Sequence, residues 1–332
     1  MDRKNQYRRA ERSATSCAGT GGATLVSVTA LWRVQTAHGP RLAAGLVDTG
    51  PERLLPADVR LDDLLAGHGD GLRAALSAAS EEMVPPGTRV LCPLEGQEVW
   101  AGGVTFERSR EARNEEAGRE VGGVDFYDRV YDAERPELFF KAAVGRSRGP
   151  EEAVLIRADS GWDVPEGELG LVVDAAGEIV AYTVGNDMSS RSIEGENPLY
   201  LPQAKVYAGS CAVGPCLVPA EDVAPTAELE ISLLIERDGG ALFFDRISVS
   251  TMHRRPEELV DWLFRGQDFP VGVVLLTGTS IVPPPEVSLR EGDVVTIEIP
   301  GVGLLRNPVQ VRDTSSRRPA GSLARTSGRR QP

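Results

Sequence analysis

Three acidic residues within the stretch 165–187 have the type and spacing to hold a metal ion. The stretch has the pattern of a β-hairpin, and a two-residue loop at Ala176 and Gly177 places residue 166 opposite residue 187. Because side chains alternate between the two faces of a strand, Glu166, Glu168 and Asp187 then share one face at the open end of the hairpin. Carboxylates this close repel one another unless a cation neutralises them. Oxygen ligands suit Mg²⁺, Mn²⁺ or Ca²⁺, so the pattern predicts a divalent-metal site.

The other face of the predicted hairpin is apolar and is expected to lie in the core; it carries Leu169, Leu171, Val173, Val180, Tyr182 and Val184. The pattern alone leaves a second interpretation open, in which the hairpin is solvated and its carboxylates face water. The loop length is an assumption, and a longer loop would shift the register of the two strands.

Five motifs follow one another along the chain: 137–141, 165–169, 185–191, Lys205 and 277–279. Their residues and their order resemble the fumarylacetoacetate hydrolase family over roughly residues 98–310. The resemblance implies a mostly β, α+β fold: a β-roll of mixed sheets behind a small N-terminal domain. It also implies that Glu166, Glu168 and Asp187 are the metal ligands and that the usual ion is Mg²⁺.

One segment departs from the pattern of the family's hydrolases and decarboxylases. Those enzymes carry a His and, three residues later, a Glu that activate water, whereas Ser109 and Ala112 stand at these positions here. None of His38, His68 and His253 lies near this segment in the sequence. A general base for the attack of water is therefore missing, which argues against C–C bond hydrolysis.

The segment 193–205 is similar to a branch of the family that dehydrates 2-keto-3-deoxy sugar acids of the D-arabinonate or xylonate type. By that resemblance Lys205 and Glu137 fall on the base and the acid, and Thr279 matches a hydroxyl that contacts the substrate. A 2-oxo acid bound to the metal would lose a C3 proton to Lys205 and its C4 hydroxyl with a proton from Glu137. The expected product is 2-oxoglutarate semialdehyde, and no redox cofactor is required.

Lys141 and Arg108 are predicted to contact the substrate because of their positions in the sequence. Lys141 ends the Leu-Phe-Phe-Lys strand. Arg108 lies in a charge-rich helix, next to Ser109, which stands at the position of the family's histidine. Plainer interpretations stay open: Lys141 and Lys205 as ion-pair partners of the acids, Glu137 as an exposed residue, and Arg191 as a structural partner of a carboxylate.

Two rival functions remain beside the dehydratase hypothesis. The first is another reaction at the same metal site, such as acylpyruvate hydrolysis, oxaloacetate decarboxylation or enol–keto isomerisation. The second is a non-catalytic protein that binds a metal or a ligand, which the joint presence of three acids and Lys205 disfavours.

The elements that must position these residues have a mostly β pattern. Predicted strands are 138–140, 153–156, 169–173, 179–184, 229–235, 273–277 and 294–299, besides two strands between 26 and 47. The spacing predicts helices over 61–79 and 256–264, and a charge-rich helix over 107–119. The segment 121–136 is predicted to be a mobile loop.

Composition and charge limit the class of protein. The 332-residue chain has a net charge of −13, and both termini are basic, so the body between them is strongly acidic and is not expected to bind nucleic acid. No run is long and apolar enough for a membrane span or a secretion signal, and the four cysteines have no metal-site spacing. We therefore expect a cytoplasmic enzyme for a small 2-oxo acid, and the family resemblance implies a homo-oligomer.

The sequence divides into four regions. We expect a disordered basic N-terminus over 1–24, a small α+β domain over 25–95, a catalytic domain over 96–312 and a disordered basic tail over 313–332.

Overall fold

The computed structural model describes residues 28–67, 71–116 and 126–312, and the side chains of 112–116 and 126–127 are not described. The predicted disordered termini, 1–24 and 313–332, therefore lie outside the described residues. No helix in the described ranges combines the length and the apolar character that crossing a bilayer requires.

The described chain is built mainly from strands, which confirms the mostly β expectation. The strands are β1 (Thr29–Thr36), β2 (Gly39–Leu46), β3 (Gly50–Leu54), β4 (Glu98–Gly103), β5 (Glu137–Ala142), β6 (Ser147–Arg148), β7 (Val154–Ile156), β8 (Asp163–Val164), β9 (Gly167–Val173), β10 (Ile179–Asp187), β11 (Ser189–Ser190), β12 (Cys211–Pro219), β13 (Glu230–Arg237), β14 (Gly240–Ser248), β15 (Val273–Leu276), β16 (Val294–Ile299) and β17 (Gly303–Val311). The helices are α1 (Leu61–Ala66), α2 (Gly71–Ser77), α3 (Glu107–Glu116), α4 (Phe126–Asp132), α5 (Arg191–Glu196), α6 (Leu201–Lys205) and α7 (Pro256–Phe264).

The strands form two main mixed sheets. The larger has the order β3-β2-β1-β12-β10-β9-β15-β4-β5, and β6 also pairs with β12. Because β6 follows β5 closely and returns to β12, the sheet curls on itself and closes a roll. The second sheet has the order β14-β13-β16-β17-β7. This arrangement agrees with the β-roll that the sequence predicts.

Two large hydrophobic clusters hold the sheets together. One fills the space between the β9–β10 hairpin, the second sheet and α7, and includes Leu171, Leu233, Leu259 and Ile297. The other lies on the opposite face of the hairpin and includes residues of both the N-terminal strands and the roll. The hairpin is therefore buried on both faces at the centre of the molecule.

The structure corrects two helix and loop predictions. The single helix predicted over 61–79 is two helices, α1 and α2, and the residues between them, 68–70, are outside the described part. The loop predicted over 121–136 contains α4, whose last carbonyls are contacted by Arg254. That partner lies more than a hundred residues away, so local periodicity could not reveal it. The predicted helix over 256–264 is confirmed and buries Leu259, Val260 and Leu263.

Candidate active site

The β9–β10 hairpin places the three predicted metal ligands together. Gly185 pairs with Glu168, and the backbone N–H of Asp187 donates to the carbonyl of Glu166 at 2.9 Å. One carboxylate oxygen from each of Glu166, Glu168 and Asp187 lies within 4.8 Å of the other two. All three side chains are buried, which excludes the solvated-hairpin interpretation.

The register at the acids is the predicted one, although the turn is not. Residue 175 does not pair with residue 178; instead Ile179 pairs with Val173, and a β-bulge between Ile179 and Ala181 restores the expected alignment. The bulge also moves one side chain: Val180 packs with the cluster on the opposite face of the hairpin from the one expected. The other five predicted core residues, Leu169, Leu171, Val173, Tyr182 and Val184, share one cluster as expected.

Lys205, at the end of α6, lies against the acidic cluster. Its buried ammonium donates to Glu166 Oε2 and Asp187 Oδ2, both at 2.9 Å, and to the Ser189 hydroxyl at 2.7 Å. The ammonium also lies 5.7 Å from the centre of the Phe139 ring. Lys205 is therefore an ion-pair partner of two predicted metal ligands. A substrate bound next to these carboxylates would also lie next to the Lys205 ammonium.

Lys141 holds the cluster from the side of β5. Its buried ammonium contacts Asp187 Oδ1 and donates to the carbonyl of Met188 at 2.9 Å and to that of Lys205. These contacts lie within the protein and tie β5 to the end of β10 and to α6. The prediction that Lys141 also binds substrate stays a prediction.

Arg191 is the structural partner of a carboxylate that the sequence suggested. Its guanidinium lies 2.9 Å from Glu166 Oε1 and 3.4 Å from Glu194 Oε2, and it is buried. Ser189 and Glu194 were not predicted, although both lie in or just after the 185–191 motif. Three basic side chains thus approach Glu166 and Asp187, which offsets the cost of burying those charges.

Glu168 differs from the other two acids in its environment. Burial raises the pKa of its carboxyl well above its usual range, and the nearby charges of Asp187 and Glu166 raise it further. The backbone N–H of Gly278 donates to its Oε2 at 2.6 Å. A hard cation would favour the ionised form of this carboxyl, so the all-oxygen donor set fits a divalent ion such as Mg²⁺.

Glu137 begins β5, on the same face of that strand as Lys141. It pairs with Gly103 of β4, and a Cβ atom at position 103 would lie only 2.0 Å from Glu137 Oε2. Glycine at 103 therefore makes room for the carboxyl group, which is half-buried rather than exposed. Thr279 is also buried, and its hydroxyl accepts the backbone N–H of Ile281 at 3.1 Å.

The remaining predicted residues lie on α3. Arg108 is half exposed and pairs with Asp245 at 3.1 Å, and the described contacts do not join it to the acidic cluster. Ser109, at the position of the family's histidine, is buried and donates to the carbonyl of Phe106 at 2.7 Å. The side chain of Ala112 is not described. The prediction that Arg108 contacts substrate is untested.

Comparison with known proteins identifies the family. The model of the fumarylacetoacetate hydrolase C-terminal domain matches residues 115–310, and this chain belongs to that family. A Haloferax volcanii protein named probable 2-keto-3-deoxyxylonate dehydratase is 53% identical over 217 residues, which cover 65% of this chain and 73% of that protein. A Saccharolobus solfataricus protein named 2-dehydro-3-deoxy-D-arabinonate dehydratase is 42% identical over 224 residues, 68% of this chain and 75% of its own.

A solved structure extends the similarity to the whole fold. It is described as 2-keto-3-deoxy-D-arabinonate dehydratase complexed with magnesium and 2,5-dioxopentanoate, and it is 33% identical to this chain. The superposition has a TM-score of 0.73 and covers 85% of this chain and 99% of the other. The family and the fold that the sequence resemblance implied are therefore confirmed.

Proposed function

We propose that this protein is a Mg²⁺-dependent dehydratase of a 2-keto-3-deoxy sugar acid of the arabinonate or xylonate type. The product is 2,5-dioxopentanoate, which is 2-oxoglutarate semialdehyde. The observation that carries the proposal is the position of the Lys205 ammonium, 2.9 Å from two of the three clustered carboxylates. The names of the similar proteins and the magnesium and 2,5-dioxopentanoate of the similar structure support it.

Glu166, Glu168 and Asp187 would hold the ion. When bound, Mg²⁺ would supply Lewis-acid chemistry: it would stabilise the negative charge that develops on the C2 oxygen of a 2-oxo acid as the C3 proton leaves. Lys141 and Arg191 keep Asp187 and Glu166 in place through the buried contacts described above.

Lys205 and Glu137 carry the proton transfers in this proposal. Lys205 Nζ removes a proton from C3, and Glu137 protonates the C4 hydroxyl as the C4–O bond breaks and water leaves. One proton then leaves C5 and another leaves the C5 hydroxyl, while one proton returns to C3 and one to C4. The C5 alcohol thereby becomes an aldehyde, and the net change is the loss of one water. Thr279 is proposed to contact the substrate through its hydroxyl.

The same geometry disfavours the rival reaction, hydrolysis of a C–C bond. Water attack needs a base, and the family's histidine is replaced by Ser109, whose hydroxyl is committed to the carbonyl of Phe106. Hydrolysis of a C–C bond is therefore not proposed, and its detection in the assay below would contradict the dehydratase proposal.

The test is an assay of the purified protein with Mg²⁺ against 2-keto-3-deoxy-D-arabinonate and 2-keto-3-deoxy-D-xylonate. We expect an aldehyde product, detected by a semialdehyde dehydrogenase coupled to NADH formation. Lys205→Met and Glu137→Gln should each lower kcat by about 10²- to 10⁴-fold. Glu98→Gln, on the neighbouring strand β4, is the matched control and should keep full activity. No aldehyde, together with cleavage of an acylpyruvate, would contradict the proposal.

We further propose that the enzyme is cytoplasmic and forms a homo-oligomer. The family resemblance supports the second point, and light scattering of the purified protein tests it: a mass of one chain at micromolar concentration would rule it out.

A further inference from the structure

A second pocket lies behind the strand that carries Glu137. It has a volume of about 440 Å³ and is lined mainly by Trp100, Arg135, Leu138, Trp262, Arg265 and Gln267; we call it the arginine–tryptophan pocket. Leu138 and Trp100 point to the face of β4 and β5 opposite the one that carries Glu137. The pocket is therefore separate from the acidic cluster.

Two guanidinium groups approach one indole in this pocket. The guanidinium carbons of Arg135 and Arg265 lie 4.5 and 3.7 Å from the ring centre of Trp262. Stacking on an aromatic face fixes the orientation of an arginine and leaves its N–H groups at the edge able to donate.

These two arginines differ from the other arginines that stack on rings in the described chain. Arg110, Arg157 and Arg246 each pair with a carboxylate as well, those of Asp128, Asp159 and Glu230 respectively.

Among the described residues, no carboxylate lies within ion-pair distance of Arg135 or Arg265, although Glu134, Asp261 and Asp268 are close to them in sequence. Arg265 follows the last turn of α7, where a cation is favourable, but Arg135 has no such role. Two positive charges thus meet at one pocket in a protein with a net charge of −13.

Apart from Gln267, the side chains of the rest of the wall are apolar. Trp100 and Leu138 are half-buried and Leu263 is buried, so they offer ring and aliphatic surface next to the guanidinium groups. The volume falls in the range of sites that take small organic molecules. The walls suit a ligand with an apolar body and an acidic group, because guanidinium binds carboxylate through two parallel hydrogen bonds.

We propose that the arginine–tryptophan pocket is a binding site for a small carboxylate with an aromatic or similarly apolar body. Arg135 and Arg265 bind the carboxylate, and Trp100, Leu138 and Trp262 contact the body. Arg135, Pro136 and Leu138 flank Glu137 in the chain, so a bound ligand fixes the backbone on both sides of that residue. An effect on turnover through Glu137 rests on the proposed function, whereas the binding itself does not.

The test is a titration of the metal-free full-length protein with isophthalate, followed by calorimetry and by tryptophan fluorescence, since two of the four tryptophans line the pocket. Isophthalamide, which has the same ring and no charge, is the matched ligand. We expect saturable binding of isophthalate and at least about tenfold weaker binding of isophthalamide, because charged hydrogen bonds are lost.

Variants assign the site. Arg135→Gln and Arg265→Gln should each weaken isophthalate binding by about tenfold. Arg246→Gln is the matched control, since Arg246 also stacks on a ring but is paired with Glu230, and it should bind as the parent does. Both pocket arginines are exposed, so thermal melts of the variants should match the parent.

Absence of saturable binding would overturn the proposal. So would unchanged binding in the Arg135→Gln, Arg265→Gln double variant, which would place the ligand at the lysines of the acidic cluster instead. Neither outcome depends on dehydratase activity, so the binding proposal can fail while the proposed function stands.

Discussion

Asp187 shares its two carboxylate oxygens between two buried ammonium groups. Lys141 contacts Oδ1, and Lys205 donates to Oδ2 at 2.9 Å. The residue thus serves as a predicted metal ligand and as the junction between β10, β5 and α6. A change at this position should affect metal binding and stability together.

Asp187→Asn should abolish Mg²⁺ binding in calorimetry, because it removes a charge from the three-acid donor set. Unfolding in urea should show a loss of about 3–5 kcal/mol, since two buried ammonium groups lose an ionised partner. Asp174→Asn is the matched control: Asp174 is a buried acid of the same hairpin whose Oδ1 accepts the N–H groups of Ala176 and Glu178. Full Mg²⁺ affinity in Asp187→Asn would refute the ligand assignment.

At the residue scale, the sequence identified the three acids because alternation and hairpin register are local properties. The sequence could not decide between ion pairing and substrate contact for Lys141 and Arg108, because the choice depends on which elements lie next to each other in the fold. Lys141 reaches Asp187 only because the sheet curls into a roll, and Arg108 of α3 pairs with Asp245 of β14, which is distant in sequence.

At the scale of elements, the β9–β10 hairpin shows both the strength and the limit of the pattern. The predicted register holds at the acids, but the turn and Val180 do not follow it, because a bulge absorbs one residue. Strand β12 was not predicted, since it contains Gly214, Pro215 and Pro219. Its register against β10 shifts between Tyr182 and Val184, where Val184 pairs with Gly214 next to Pro215, and such irregularities leave no periodic signal.

Arg254 connects α4 to the segment that leads into β5. Its buried guanidinium contacts the carbonyls of Val130, Tyr131, Ala133 and Glu134, just before Glu137. It also pairs with Glu258 of α7 at 2.7 Å. We regard Arg254 as a positioning residue for the chain that precedes the proposed acid.

Arg254→Met should lower kcat by about 10- to 100-fold, because small displacements of a catalytic group are costly. Mg²⁺ affinity should not change, since the described contacts of Arg254 do not include the acidic cluster. Arg254→Lys should recover part of kcat. Arg255→Met, at the exposed neighbouring position, is the control and should behave as the parent. A fall in Mg²⁺ affinity equal to the fall in kcat would point to general unfolding instead.

At the scale of the whole molecule, the N-terminal strands and the roll form one continuous sheet. Leu31 of β1 pairs with Leu217 of β12, and one hydrophobic cluster contains Leu42 and Leu61 together with Val213 and Leu276. Residues on both sides of the domain boundary predicted between 95 and 96 therefore share one hydrophobic core. The division into two domains at this point stays a prediction.

The fragment 96–312 should fail to fold cooperatively when it is expressed alone. The fragment lacks β1 to β3, so the edge of β12 that pairs with β1 is exposed. It also lacks half of the residues of the shared hydrophobic cluster, so the remaining half exposes apolar surface. Circular dichroism melts and soluble yield measure this, with the chain from residue 25 onward as the control. A soluble fragment with a sharp melt would show that 96–312 is an independent domain.

The basic side chains around Glu166 and Asp187 have a consequence for the order of folding and metal binding. Lys141, Lys205 and Arg191 supply positive charge from within the chain, so folding need not wait for an ion to arrive. We therefore expect the metal-free chain to reach the folded state on its own, so that a store of folded protein can wait for Mg²⁺ and gain activity when the ion binds.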